Sequence, residues 1–347
     1  MPPAPASLAR WPWPHVAATP LHRGIKRWQT AQPDGTLVEL LEFDFKANPH
    51  LRWEIADQDA DDKVPFDNST PFQARSVSLM ARGLNQRFAR TGEGRVVAAW
   101  NGAFFGYDRK ANPVTAFHVA PVVLRGKPYY TRINRRWTFG VRSGAGVRSG
   151  VGLPQWKVVY LPPVATLGQQ FDWAASGVQC LILNGKPLKV QSYPIPGATP
   201  LPQPYPSSPR EAGHIPVFDH MRTSRASLAW NRGSDTLWLL FVKEPDSENG
   251  SGLGLKRGAD WPGATVTGGW LTSDVQRFWL ACGAWCAINS DAGGVAQLLT
   301  ARPDGRYDLI AGGAGIRRSV LGADLKTAVP SGFDSSIMYF YVRDAAR

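Results

Sequence analysis

The sequence predicts a sheet-rich α+β protein with mixed strands and few helices, and three observations lead to this prediction. Hydrophobic residues make up 43% of the 347 residues and 14 residues are tryptophan, so a packed globular body is expected. The 35 glycines and 29 prolines suit many short strands joined by turns better than a helical bundle. No internal repeat or heptad stretch is visible, which favours a single domain with loop insertions.

The elements follow from local patterns in chain order. A proline- and alanine-rich stretch at 1–20 predicts an extended N-terminal tail, followed by the domain at 21–347. Apolar residues at helical spacing predict a helix at Arg75–Ala89. Short apolar runs bounded by turn residues predict strands at Thr36–Phe45, Val96–Trp100, Pro121–Leu124, Trp156–Leu161, Cys180–Leu183, Arg225–Trp230, Thr236–Val242, Trp285–Asn289 and Ile337–Val342.

A second helix is predicted before the strand that ends at Asn289. Ser273 and Gln276 match a capping box at its start, and Gly283 marks its end. The segment 191–218 contains eight prolines, too many for regular structure. We expect a long Pro-rich surface loop there, of the kind that often borders a binding site.

The chain is strongly basic, with a formal net charge of +12 and an isoelectric point near 9.8. Such a surface attracts anions, among them phosphorylated glycans, anionic envelope polymers and nucleic acids. Charge that only keeps the protein soluble explains the balance equally well. No block of five or more basic residues occurs, so a nucleic-acid-binding tail is not expected.

Several common catalytic patterns are missing from the sequence. The chain has no G-x-x-x-x-G-K-[ST] phosphate loop, no H-E-x-x-H and no G-x-S-x-G. Its six histidines are scattered without ligand spacing, so neither a metal site nor a cofactor is expected. The three cysteines, Cys180, Cys282 and Cys286, cannot all pair within one chain, and we expect buried free thiols.

No segment is long and apolar enough to span a membrane, and residues 1–20 lack an apolar run of signal-peptide length. The chain is therefore either cytoplasmic, or exported or held in the cell envelope after a leader has been removed. The proline- and alanine-rich start fits a linker left by such a removal, and the sequence leaves both locations open.

Three segments place polar residues where an apolar strand stops or starts beside an irregular stretch, which exposes functional groups on a rigid core. In the first, the Asn101 carboxamide donates and accepts, and Gly102 permits close approach of a ligand. In the second, Arg222 and Arg225 can clamp a phosphate between them. On a regular strand these two arginines would point to opposite faces, so at most one would face a site unless the segment is irregular.

The third segment follows the strand that ends at Asn289. Asp291 offers a carboxylate there, and the amides of Gly293 and Gly294 can hold an oxyanion or a phosphate. Taken singly, each of the three segments is more often an ordinary turn or a pair of solvated arginines. Their order along the chain carries more information.

The ordered set of motifs resembles the phosphodiester glycosidase family. It consists of N-G-x-F-F after an apolar strand, a later R-G-K turn, L-I-x-N-G, an R-T strand start and a helix–strand–N-x-D-x-G-G unit. The resemblance runs from about Gly24 to the final strand. Where the family tends to show aspartate-glycine after its long apolar strand, this chain has Lys243 and Glu244. The resemblance implies hydrolysis of a sugar-1-phosphodiester of the N-acetylglucosamine-1-phosphate type.

The resemblance also implies roles on the sugar side of the bond. Asp291, at a position that matches the family motif, is the expected catalytic carboxylate, acting as nucleophile, base or electrostatic stabiliser. Glu244 is our own candidate for a second carboxylate, at a position that departs from the family motif, and Asp108 is the weaker alternative. Asn101, beside Gly102 in the family's asparagine-glycine corner, is expected to orient a sugar hydroxyl or N-acetyl group.

On the phosphate side, the resemblance implies that Arg222 contacts the substrate, with Thr223 in the same arginine-threonine motif. Arg225 and the amides of Gly293 and Gly294 are expected to assist. The assignment requires the loops around residues 101, 222 and 291 to meet in one pocket of positive potential.

Two other functions fit the same residues. One is a non-catalytic module that binds anionic envelope polysaccharide through a basic cleft rich in aromatic residues. The other is a nucleic-acid-binding protein, for which net charge is the only motive. A phosphorylated glycan is the partner that the motifs favour.

Overall fold

We analysed the protein as a computed structural model, which describes residues 15–57, 74–108, 115–118, 120–129, 137–142, 152–160, 162–188, 222–245, 268–290, 293–313, 315–327 and 336–345. Residues 1–14 of the predicted tail and the whole of the Pro-rich segment 191–218 lie outside this description.

The predicted α+β class, dominated by sheet, is confirmed. Helices in the described ranges are α1 (Val77–Thr91), α2 (Leu167–Gln170) and α3 (Thr272–Ala281), with short 3-10 turns at Val164–Thr166 and Gly293–Val295. None of these helices has the length and apolar character needed to cross a bilayer. The strands are β1 (Thr19–His22), β2 (Ile25–Ala31), β3 (Leu37–Asp44), β4 (Leu51–Asp57), β5 (Arg95–Asn101), β6 (Phe105–Asp108), β7 (Thr115–His118), β8 (Val122–Leu124), β9 (Lys127–Tyr129), β10 (Trp137–Arg142), β11 (Gln155–Tyr160), β12 (Trp173–Leu183), β13 (Lys186–Pro187), β14 (Arg225–Trp230), β15 (Thr236–Lys243), β16 (Cys286–Asn289), β17 (Leu298–Ala301), β18 (Tyr307–Ile310), β19 (Arg318–Leu321) and β20 (Met338–Asp344).

Most of the strands belong to two sheets, which we call the large sheet and the small sheet. The large sheet has 12 strands in the order β1-β2-β3-β15-β14-β16-β12-β10-β11, with β13 and β8 also paired to β12 and β9 paired to β8. The small sheet has 6 strands in the order β19-β18-β17-β5-β20-β4, and β6 and β7 form a separate hairpin. All strand pairs in the described ranges run antiparallel, whereas the sequence predicts strands of mixed direction.

The two sheets share an aromatic core. Phe43 of β3 stacks on Trp100 of β5 with ring centroids 5.9 Å apart, and Phe139 of β10 lies 6.1 Å from Phe340 of β20. All four residues are fully buried, with an exposure of 0%. Because side chains alternate between the faces of a strand, one set of apolar residues from each sheet fills this space. Burial of each such ring stabilises the fold by about 1.5–3 kcal/mol.

The two longer helices cover the outer faces of the sheets. In α1, the ring of Phe88 packs 6.3 Å from Tyr341 on the small sheet. In α3, Trp279 Nε1 donates to Ser227 Oγ of β14 in the large sheet at 2.7 Å. Each sheet therefore has one face on the shared core and the other partly covered by a helix.

The start of α3 differs from the predicted capping box of Ser273 and Gln276. The N-cap residue is Leu271, whose amide donates to the Asp274 carboxylate at 3.0 Å. Gln276 is fully buried, and its Nε2 donates to two main-chain carbonyls beside the helix, both at 2.6 Å. The prediction was wrong because the side-chain amide of Gln276 bonds to main-chain carbonyls near the end of β12 and does not reach back to the start of the helix.

The predicted strands lie close to the observed ones, and the main difference is β12. This strand begins at Trp173, well before the predicted start at Cys180. Its first half contains the small residues Ala174–Ser176, which carry little strand signal in the sequence. These residues are nevertheless paired with β10 on one side and β8 on the other.

At the N-terminus, β1 begins at Thr19, so the last residues of the predicted tail join the large sheet.

One end of the two sheets brings the candidate segments together. In the large sheet β14 begins there and β15 and β16 end there, whereas in the small sheet β5 ends and β17 and β20 begin. Residues 290–297 link β16 of the large sheet to β17 of the small sheet. Pairing of Asn101 with Tyr339 and of Asn289 with Ser227 aligns the strand ends within each sheet.

Glu39 on β3 is a buried carboxyl group between the two sheets. Arg318 Nη2 of β19 lies 3.9 Å from Glu39 Oε1, and Arg27 Nη1 of β2 donates to Asp308 Oδ2 of β18 at 2.8 Å. Burial raises the pKa of Glu39 to about 7, because the cost of desolvating the charge outweighs the attraction of Arg27 and Arg318.

We expect Glu39→Gln to remove a pH dependence of stability. The ordinary pKa of this group is 4.5, so the folded protein holds the proton more tightly than the unfolded chain does. The stabilising contribution is complete below pH 4.5 and is lost as the pH rises through about 7. Between pH 5 and pH 8, the free energy of unfolding in urea should fall by about 2–3 kcal/mol more in the wild type than in the variant.

The exposed residue Glu93 offers a control for this measurement. Glu93→Gln should keep the pH dependence of the wild type. Parallel stability curves for the wild type and Glu39→Gln would contradict the expectation.

Candidate functional site

Thr223 and Glu244 lie opposite each other at the open end of the β14–β15 hairpin. Thr223 Oγ1 donates to Glu244 Oε2 at 2.8 Å, and the amide of Ser224 donates to the same oxygen at 2.6 Å. The Glu244 amide in turn donates to Ser224 Oγ at 3.3 Å. Thr223 and Glu244 are each 1% exposed. Two donors therefore fix the position of a buried carboxyl group.

The turn at Gly293–Val295 lies against this pair. The Gly293 amide donates to the carbonyl of Ser224 at 3.0 Å. Gly293 has a φ of +79°, which disfavours residues with a side chain, and an added Cβ would lie 3.8 Å from Thr223 Oγ1. The turn and the segment that contains Thr223 and Ser224 are thus in direct contact. The Gly293 amide is already bonded within the fold, which leaves it less suited to hold a phosphate.

Asn101 bonds to the other end of the same turn. Its Nδ2 donates to the carbonyl of Val295 at 2.8 Å, and its Oδ1 accepts from the amide of Gln297 at 2.6 Å. The residue is fully buried. The Asn101 side chain therefore positions the turn at 293–295, whereas the resemblance implied that it contacts a sugar.

Gly102 is required by close packing against β20. Its amide donates to the carbonyl of Met338 at 3.0 Å. A Cβ added at Gly102 would lie 2.9 Å from Met338 Cγ and 3.0 Å from that carbonyl oxygen. The missing side chain therefore lets β20 approach, and no ligand is needed to explain the glycine.

Lys243, noted in the sequence only as a departure from the family motif, is a residue of the site. It is fully buried, and its Nζ donates to the carbonyl of Gly313 at 2.8 Å and to that of Ala296 at 3.3 Å. Lys243 follows Phe241 at the two-residue spacing of the core-facing side of β15, and this register was the available signal. The side chain ties residue 296 to the large sheet from inside the core.

The two arginines bind consecutive carbonyls. Arg222 Nη1 donates to the carbonyl of Gly269 at 3.1 Å and lies 3.4 Å from Asp274 Oδ2. Arg225 Nε donates to the carbonyl of Trp270 at 3.0 Å. Arg222 precedes β14, so the alternation of a regular strand does not apply to it. The Arg222 side chain is 40% exposed, whereas Arg225 is 1% exposed.

Asp291 lies outside the described residues, and so does the side of the turn that it would complete. The residues that flank it are anchored on the start of β14. Ser290 donates to the carbonyl of Ala226 through its amide at 2.9 Å and through Oγ at 3.0 Å. Gly293 is bonded to Ser224 as described above, and Gly294 continues the same 3-10 turn.

His118 and Asp57 form a buried pair that no pattern in the sequence indicates. His118 Nε2 lies 2.9 Å from Asp57 Oδ2, and the two side chains are 1% and 0% exposed. Asp57 ends β4 and is paired with Met338, the residue whose carbonyl bonds to Gly102. The pair therefore lies one strand away from the Asn101-Gly102 corner. The two residues are 61 positions apart, and no spacing rule connects them.

The cysteines are free and buried, which confirms the expectation. Burial raises the pKa of Cys282 to about 12 and that of Cys286 to about 11. These thiols stay protonated at neutral pH and are poor nucleophiles. Within the described ranges, no group of three His, Cys, Asp or Glu side chains is placed to hold a metal ion.

Comparison with known proteins gives a likeness of fold. No protein-family model matches the chain, and no curated protein matches it. The fold is similar to the zebrafish N-acetylglucosamine-1-phosphodiester α-N-acetylglucosaminidase catalytic domain auto-inhibited by its pro-peptide, with a TM-score of 0.52 and 14% identity over 95% of this chain and 87% of that chain. It is also similar to a hypothetical protein from Synechocystis, with a TM-score of 0.47 and 13% identity over 95% of this chain and 64% of that one. The first of these two likenesses supports the resemblance seen in the motif order at the level of the fold.

We expect Asn101→Ala to destabilise the protein by roughly 2–4 kcal/mol, because it leaves the Val295 carbonyl and the Gln297 amide buried without this partner. Urea unfolding followed by far-UV circular dichroism measures the change. Gln155→Ala at an exposed position of β11 is the control and should change stability by less than about 0.5 kcal/mol. A similar small value for Asn101→Ala would show that the amide does not hold the turn.

Proposed function

We propose that this protein hydrolyses a glycosyl phosphodiester, the bond between a sugar anomeric carbon and a phosphate that bridges to a second alcohol. The observation that carries the proposal is the buried Thr223–Glu244 pair, bonded through Ser224 to the glycine turn at 293–295. The fold likeness to a glycosidase catalytic domain supports the reaction class. The order of motifs along the chain supports the same substrate type.

The chemistry of this bond sets two demands. Phosphate is a good leaving group, so its departure needs less acid assistance than that of an ordinary alcohol. The site must stabilise positive charge that develops at the sugar, and it must neutralise the departing phosphate. A pair of carboxylates meets the first demand and a cation meets the second.

Glu244 and Asp291 are our candidates for the sugar side. The Glu244 carboxyl group is rigidly oriented, because the Thr223 hydroxyl and the Ser224 main-chain amide both donate to its Oε2 atom. Rigid orientation is what electrostatic stabilisation of a transition state requires. Asp291 lies in the linker that joins the two sheets, between the anchored residues Ser290 and Gly293.

Arg222 is our candidate for the phosphate side. Its contacts with Gly269 and Asp274 involve only Nη1, and a guanidinium has five N–H donors. In the described part of the chain, Nε and Nη2 therefore remain able to bind a phosphate. The 40% exposure of the side chain makes it accessible to a substrate. Arg225 is buried, and its Nε donates to the carbonyl of Trp270, which holds residue 270 against the start of β14.

A non-catalytic role in binding anionic envelope polysaccharide is the second candidate. One observation favours it: Asn101, Gly102 and the Gly293 amide bond or pack within the fold, although the resemblance assigned them to substrate. A binding module needs only the exposed cations and the net charge of +12. Retained glycan binding with no sugar released during long incubation would decide for this function.

We expect Glu244→Gln to reduce turnover of an N-acetylglucosamine-1-phosphodiester by about 10²–10⁴-fold, with the fold intact. Glutamine keeps an oxygen for Thr223 and Ser224 but removes the carboxylate. Release of free sugar measures turnover, and the melting temperature reports on folding. The control is Glu42→Gln on β3, a buried glutamate bonded to Lys26 and Trp238. It should leave turnover unchanged. Equal turnover in the wild type and Glu244→Gln would remove Glu244 from the reaction.

We expect Asp291→Asn to reduce the same turnover by several orders of magnitude, because it removes the first candidate carboxylate while keeping the size of the side chain. The measurement is release of free sugar under single-turnover conditions, with binding of the phosphodiester followed in parallel. Unchanged turnover would exclude Asp291 from the mechanism and leave Glu244 as the remaining candidate.

A further inference from the structure

Four buried side-chain oxygen atoms near the start of α3 have no hydrogen-bond partner among the residues that the structure describes. Three of them belong to the first turns of α3, and the fourth belongs to the last residue of β16. Each of the four residues is at most 1% exposed. We call this group the α3 cluster; its atoms are Thr272 Oγ1, Ser273 Oγ, Gln276 Oε1 and Asn289 Oδ1.

The helical members share one side of α3, because residues three and four positions apart on a helix are neighbours. Gln276 locates that side. Its Nε2 donates to the carbonyls of Leu181 and Leu188, both at 2.6 Å. The amide group, and with it Oε1, therefore lies against the end of β12.

Asn289 approaches the same region from the large sheet. It is paired with Ser227 on β14 and with Gln179 on β12. Directly paired residues on neighbouring strands point to the same face of a sheet. That face is the one covered by α3, because Ser227 Oγ accepts from Trp279 Nε1. Asn289 thus points towards the helix, beside the part of β12 that Gln276 contacts.

The α3 cluster is also continuous with the candidate catalytic residues. Trp270, two residues before Thr272, donates from its amide to the carbonyl of Thr223 at 3.0 Å, and the Thr223 amide donates back at 3.3 Å. Thr223 is the residue that bonds to Glu244. The cluster and the buried carboxyl group therefore lie along one continuous stretch of main-chain contacts.

Buried polar atoms without partners destabilise a folded protein, so a group of four calls for a physical reason. Other such atoms in the described chain include the indole nitrogens of Trp53, Trp100 and Trp137 and the Nε of Arg87, which lie on four separate elements. The α3 cluster differs because three of its four atoms belong to one side of a single helix. A polar ligand that bonds to these atoms would remove that cost.

The chemistry of the cluster defines that ligand. Its two hydroxyls can donate and accept, and its two amide oxygens accept. None of the four groups is charged, so an ionic ligand would gain no opposite charge there. A neutral group with several hydroxyls matches both the donors and the acceptors.

We propose that the α3 cluster binds the hydroxyl groups of a sugar ring. As the sugar subsite of the hydrolase, this inference rests on the proposed function; as a sugar-binding site, it does not. Since the four atoms are buried, a sugar reaches them only when the chain that covers them moves.

Ser273→Ala is the test, and Ser78→Ala is its matched control. Each serine is the second residue of its helix, and each is fully buried. Ser78 Oγ is bonded to Ser76 Oγ at 3.2 Å, whereas Ser273 Oγ belongs to the cluster. The probes are N-acetylglucosamine and methyl α-glucoside, with inorganic phosphate as the charged comparison, and binding is measured by titration calorimetry.

We expect Ser273→Ala to keep or raise the melting temperature and to weaken sugar binding about 5–10-fold, with phosphate binding unchanged. Ser78→Ala should lower the melting temperature and keep the sugar affinity. A structural role for Ser273 would instead lower the melting temperature and leave the sugar affinity as it is. That result would overturn the inference, as would a wild type that binds neither sugar.

The two proposals fail in different ways. If the wild type hydrolyses the phosphodiester and Ser273→Ala keeps both KM and sugar affinity, the subsite is overturned and the proposed function stands. If the wild type binds sugar in a Ser273-dependent manner without hydrolysis, the sugar site stands and the hydrolase does not.

Discussion

The linker between β16 and β17 is hydrogen-bonded to both sheets by residues far from it in the chain. Gly293 bonds to Ser224 of the large sheet, Asn101 of the small sheet bonds to positions 295 and 297, and Lys243 bonds to position 296 from the core. Buried main-chain groups must be paired, so each of these bonds restricts the path of the linker. The position of the turn beside Thr223 and Glu244 depends on these contacts together.

At the end of β15, the adjacent residues Lys243 and Glu244 point to opposite faces of the large sheet and have different roles in the site. Lys243 points into the core, where two carbonyls solvate its ammonium group. Glu244 points the other way, to Thr223 and Ser224. Burial of either charged group without partners would be costly, and the alternation of a strand lets each find its own set. A pair of residues that departs from the family motif thus has a physical explanation in this fold.

The residues that support the site and those that face a ligand are arranged in layers. Asn101, Gly102 and Lys243 hold main chain from the small sheet and from the core. Glu244 and the α3 cluster lie on the helix-covered side of the large sheet, and Arg222 lies just before β14 with its side chain 40% exposed. This separation lets a rigid frame position the polar atoms of the α3 cluster and the guanidinium of Arg222, whose hydrogen-bonding capacity is not used up by the described residues. Such groups are the ones able to bind or transform a substrate.

The sequence by itself determined the sheet-rich class and the strands that form β14 and β15, because strand periodicity and turn residues are local signals. It did not determine the start of α3 or the first half of β12, where contacts with other strands override weak local preferences. The tertiary structure alone decided that Asn101 positions main chain and that His118 meets Asp57. Those outcomes depend on partners tens to hundreds of residues away, and a side chain's role is set by the groups that surround it after folding.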